Sequence, residues 1–121
     1  MKRLLITLML VSPPSFAEWG DVYYCQMTTS SATTNEGKRT DYELEKFQFK
    51  LDSTEKAMVF GKGGYFNKWK ITLDLNRTFF GDNSWWASNM FTLLHFSEGQ
   101  FMLSFLGSEE MTSISANCDK F

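Results

Sequence analysis

His95 is the only imidazole in the sequence, and Cys25 and Cys118 are its only thiols. Nucleophilic catalysis needs a Ser, Cys or Lys beside an oriented base, and general acid–base catalysis needs a positioned titratable group. His95 stands between Leu94 and Phe96 in an apolar run, a setting for a structural or surface imidazole rather than a base. A metal would need three or four converging ligands. The acidic residues are scattered singly apart from Glu109-Glu110, which falls at an expected turn. No catalytic residue, metal ligand or cofactor site is assigned, and the chain is expected not to be an enzyme.

Two short patterns invite a chemical reading. Gly61-Lys62-Gly63-Gly64 has the glycines of a phosphate-cradling loop, but no Lys-Ser or Lys-Thr closes it and no helical pattern follows, so it reads as a turn. Asn76-Arg77-Thr78 fits the glycosylation acceptor triplet, which acts only in a eukaryotic secretory pathway. The aromatic residues carry more. Twelve Phe, four Tyr and four Trp make 17% of the chain. Trp85 and Trp86 lie in a segment of Gly, Asp, Asn and Ser, while Tyr65 and Trp69 share one face of an expected strand. Rings so placed can stack on a ligand at a barrel mouth, and the alternative for all four is to fill the barrel.

The elements that would hold these residues read as strands. Tyr42–Leu51 puts Phe47, Phe49 and Leu51 on one face and Lys46, Gln48 and Lys50 on the other, a period of two that a helix would scatter. The same alternation runs through 65–75 and through 100–106, where Phe101, Leu103 and Phe105 share a face. In 89–96, Met90, Leu94 and Phe96 face one way and Phe91 and Leu93 the other, and both faces look covered. Segments 21–29, 57–60 and 111–118 bring the number of expected strands to seven. Ser30–Thr40 reads as a long polar loop, and Asp82–Ala87 as a possible short helix capped by Asp82 or Asn83. Short strands joined by hairpins predict an all-β fold, a small antiparallel β-barrel or sandwich.

At 121 residues there is room for one domain. Lys2 and Arg3, the apolar run Leu4–Val11 and the small residues Ser15 and Ala17 predict a secretory signal peptide over residues 1–17, cleaved after Ala17. The run ends at Ser12-Pro13-Pro14, well short of the roughly 20 apolar residues of a membrane span. The single β domain would then be 18–121, periplasmic or secreted. Removing the leader takes two of the 12 basic residues and none of the 14 acidic ones, leaving a net charge of −4. That balance offers no basic footprint for nucleic acid. Both prolines leave as well, and a proline-free chain suits sheet. In an exported protein two cysteines read as one disulfide, Cys25–Cys118, joining the first and last strands as a closing meander requires.

Several stretches carry a resemblance. Ser12–Ala17, Trp19-Gly20-Asp21, Tyr23–Met27, Lys46–Asp52, Ala57–Gly61, Gly63–Phe66, Ile114-Ser115-Ala116 and Cys118–Phe121 resemble a family of short exported proteins of marine alphaproteobacteria and their phages. The resemblance covers most of the chain and implies export and a bacterial envelope setting; the family is uncharacterised and implies no activity. Size, export, an early Tyr-x-Cys-like strand and a disulfide are loosely similar to small periplasmic lysozyme inhibitors. Their Ser-Gly-x-x-Tyr loop is absent, and Gly61–Tyr65, the nearest segment, lacks the serine. Lipocalin-like carriers would show Gly-x-Trp, whereas Trp19-Gly20 has the opposite order. The expectation is an exported non-enzymatic binding module with an apolar or aromatic-lined site near Trp85, Trp86, Tyr65 and Trp69, its partner a small apolar ligand. The alternative is a protein-interaction module of the envelope, such as an inhibitor of a cell-wall hydrolase, working through exposed loops at Ser30–Thr40 and Gly61–Gly64.

Overall fold

The computed structural model describes residues 17–74 and 84–121. The expected leader apart from Ala17, the triplet Asn76-Arg77-Thr78, Leu75, Phe79-Phe80 and the capping candidates Asp82 and Asn83 lie outside the described residues. Among the described residues nine strands form one antiparallel sheet: β1 Val22–Thr34, β2 Arg39–Asp41, β3 Lys46–Asp52, β4 Ala57–Phe60, β5 Lys70–Thr72, β6 Trp85–Ser88, β7 Thr92–Ser97, β8 Gln100–Leu106 and β9 Glu110–Lys120. There is no helix among the described residues, hence none long and apolar enough to cross a membrane.

The order β5-β4-β3-β1-β9-β8-β7-β6 is a meander whose last strand returns to its first. At the open seam Leu73 bridges Ala87 and the Asp74 N–H donates to the Trp86 carbonyl at 2.6 Å, so the sheet nearly closes into a barrel. Cys25 and Cys118 stand directly opposite in the β1–β9 ladder and are joined by the expected disulfide.

Two of the nine strands were not expected. Ser30–Thr40 is not a loop: β1 continues to Thr34, and β2 folds back on it, pairing Ser31 with Asp41 and Thr33 with Arg39. Its Ser and Thr run has loop composition, but tertiary pairing decides, since β-propensity reflects the fit to neighbouring strands. β2 and β3 are two halves of one stave on the same edge of β1. Between them the Tyr42 N–H donates to the Ser30 carbonyl and the Met27 N–H to the Glu45 carbonyl, opposite a bulge between Met27 and Thr29. The second unexpected strand is β6, because Trp85–Ser88 pairs with β7 instead of forming a helix. Conversely, the strand expected over 65–75 shortens to β5, and Gly61–Trp69 is a loop.

Local sequence sets the turns. Glu98 and Gly99, with φ of 51° and 77°, form a two-residue connection between the paired Ser97 and Gln100, as a right-twisted hairpin requires. Asp52 Oδ1 accepts from the Thr54 and Glu55 N–H groups, and Asn89 Oδ1 from those of Phe91 and Thr92.

The alternation then fills the interior. Phe49, Phe96, Phe101, Met27, Leu51, Met58, Leu94 and Ile114 are fully buried, and Phe49 touches Phe96 and Phe101 with ring centroids 5.1 and 6.0 Å apart. Along β1 and β9 the inward positions change from Cys, Met and Ile to Ser30, Ala32 and Thr112, so one end receives less side-chain volume. The expectation that both faces of 89–96 are covered fails: Leu94 and Phe96 are buried, whereas Met90, Phe91 and Leu93 are exposed.

Candidate functional site

The barrel's less filled end is roofed by the loop between β4 and β5. Gly61 donates to the Gln48 carbonyl, Lys68 to the Gly61 carbonyl, and Trp69 to the Phe66 carbonyl at 2.8 Å, while Phe60 donates to the Trp69 carbonyl at 2.7 Å. Asn67 Oδ1 accepts from the Gly63 N–H. Phe66 is the loop's anchor: it is buried, edge-on to Phe47 at 4.9 Å, against Phe60 at 4.6 Å and stacked on Trp69 at 5.5 Å. Gly64 lets the loop lie this close. Its φ is +79°, and a Cβ there would come within 2.6 Å of the Lys46 carbonyl oxygen.

Beneath the loop is a cavity of about 470 Å³ lined by Tyr65, Phe66, Asn67, Trp69, Thr92, Leu103 and Phe105. One wall is the aromatic loop, the other the inward faces of β7 and β8. Among the described residues its polar groups are the Asn67 and Thr92 side chains, the Tyr65 phenol and the Trp69 indole N–H, and no carboxylate or ammonium lines it. Burial raises the Tyr65 pKa above its ordinary value, with Glu45 and then Tyr42 adding to the rise, so the phenol stays protonated and can donate a hydrogen bond. The arrangement can cover one side of an apolar molecule, stack on a ring and offer a few hydrogen bonds.

The four aromatic residues singled out by sequence do not share one place. Tyr65 and Trp69 line the cavity together, from a loop and not from a strand face. Trp85 lies at the far end of the barrel, where it meets Trp19 edge-on at 4.9 Å and packs on the core, with Lys56 Nζ 5.3 Å from the Trp19 ring centre. This is an end plug. Trp86 lies on the outer surface against His95, their ring centres 4.4 Å apart. Partial burial lowers the His95 pKa from its ordinary value.

Sequence reasoning missed Phe66, Asn67 and Thr92 as lining residues. Phe105 and Leu103 were placed on the right face by alternation, and the same alternation through Leu94 and Phe96 reaches Thr92, whose polarity hid it. No family model, curated protein or solved structure matches the chain.

Proposed function

We propose that this chain is an exported, non-enzymatic binding module whose site is the cavity under the Gly61–Trp69 loop. One observation carries the reading. A cavity of about 470 Å³ has an aromatic wall and, among the described residues, no charged side chain in its lining, and it lies within the range of small-molecule sites. Such a lining favours an uncharged, largely apolar ligand, because it offers a charged group no opposite partner. Export to the periplasm or beyond is supported by the leader-like residues 1–17 and by the Cys25–Cys118 disulfide, which persists in oxidising compartments.

The test uses protein purified from the periplasm of an expression host and titrated with the uncharged fluorophore N-phenyl-1-naphthylamine. Saturable binding of one probe per chain is expected. Thr92→Trp, which places a ring in the cavity, abolishes it, and Trp86→Ala on the outer surface leaves it unchanged. Probe binding that survives Thr92→Trp, or that Trp86→Ala removes, overturns the assignment.

A further inference from the structure

The outside of the barrel is sided. Across β3, β4 and β5 the outward row is Lys50–Val59–Lys70, and Lys46 lies two rows further along β3, beyond Gln48. Across β6–β9 the corresponding rows are Trp86–His95–Met102–Ser115 and Ser88–Leu93–Ser104–Ser113, followed by Leu106–Met111, and none carries an Asp, Glu, Lys or Arg. His95, the one titratable side chain among them, is shifted toward its neutral form.

This face has relief. Trp86, Leu93, His95 and Met102 rim a hollow of about 350 Å³ whose floor is the small side chains Ser104, Ser113 and Ser115. Next to it stands a knob. The turn between β6 and β7 leaves Met90 86% and Phe91 58% exposed. It is a fixed turn: Asn89 Oδ1 accepts from two of its N–H groups, and the Phe91 carbonyl accepts from the Leu106 N–H at 2.8 Å. Leu106 is two residues along β8 from Ser104, so knob and hollow lie roughly 7 Å apart at about 3.4 Å per strand residue.

We propose that this face is a two-fold dimer interface in which the Met90–Phe91 knob of each copy enters the serine-floored hollow of the other. A two-fold contact brings one patch against itself, so it needs a surface that is both uncharged near the axis and self-complementary in shape. Neutrality matters here because two copies of a chain with a net charge of −4 after leader removal repel elsewhere. The area is of the right order. Covering Met90, Phe91, Leu93, Met102, Leu106 and Met111, each 43% or more exposed, removes on the order of 600 Å² per copy, and the hollow's rim and floor extend this toward the ~800 Å² of a stable interface.

The test is sedimentation velocity of the purified exported protein from about 1 µM to about 1 mM, spanning the affinities an interface of this size reaches. A monomer–dimer equilibrium is expected. Phe91→Asp on the knob and Ser113→Lys in the hollow each weaken it by roughly tenfold or more, as truncation of a central contact does. Lys50→Glu on the opposite side leaves it unchanged. Circular dichroism shows that each variant is folded, and the two variants report independently because Phe91 sits in the β6–β7 turn and Ser113 on β9. A monomer throughout that range overturns the proposal, and so does a dimer that neither variant weakens.

Discussion

Gly64→Ala tests whether close approach of the roofing loop to β3 builds the cavity. The perturbation has two parts. An L-residue at φ +79° costs about 1–2 kcal/mol, and a Cβ 2.6 Å from the Lys46 carbonyl oxygen must withdraw by about 0.5–1 Å to reach ordinary contact. Lys46 and Phe47 are held in the ladder with β1, opposite Gln26 and Cys25, so the loop moves, and Phe66 moves with it out of its place against Phe47, Phe60 and Trp69. Losing part of a buried Phe, worth about 3–5 kcal/mol when removed whole, adds roughly 2 kcal/mol. The expected loss is therefore about 3–4 kcal/mol in urea unfolding, with loss of probe uptake in the cavity. Gly63→Ala is the control, because its φ is +83° but a Cβ there meets nothing within 4 Å. It loses only the backbone part, about 1–2 kcal/mol. Equal losses at Gly63 and Gly64, with probe uptake intact in both variants, would refute the reasoning.

Two further outcomes follow from the frame. Reducing Cys25–Cys118 opens a closed loop of 93 residues' separation, which the chain-entropy account values at about 4–5 kcal/mol, or roughly 20 °C in Tm for a domain near 100 residues. Thermal melts with and without reductant measure it, and a change below about 1 kcal/mol contradicts that account. His95 has a folded pKa below its unfolded value, so its contribution is complete above the unfolded pKa and is lost as pH falls through that value toward the folded one. Urea midpoints between about pH 8 and pH 5 should fall for the native protein and fall less for His95→Gln; identical slopes would show that another group is responsible.

Alternation made most of the barrel legible. Phe47, Phe49 and Leu51 in β3 and Phe101, Leu103 and Phe105 in β8 carry a period that only a half-buried strand explains, and the pairing of Cys25 with Cys118 at opposite ends of the chain implied closure. The illegible parts are those where a partner supplies the structure. Arg39–Asp41 has no exposed-buried pattern, since all three residues are exposed, and it is a strand because β1 offers an edge. The division of the four aromatic residues was equally hidden. Adjacent strand residues point to opposite faces, so Trp85 and Trp86 had to separate if they were in a strand, and with helix as the competing reading that inference was not available.

The two ends of the barrel divide the work that one small domain must do. At one end Trp19 and Trp85 close the interior, and Lys120 Nζ holds Asp21 at 3.1 Å. At the other, the inward positions shrink to Ser30, Ala32 and Thr112, and the interior is completed by a loop whose buried residue is Phe66. A closed sheet with a cross-strand disulfide can leave that end underfilled, because its stability comes from the remaining Phe, Met and Leu packing and from the constraint on its termini. The cavity therefore sits where filling it is least needed for folding, so Thr92→Trp is expected to fill it while the barrel stays folded.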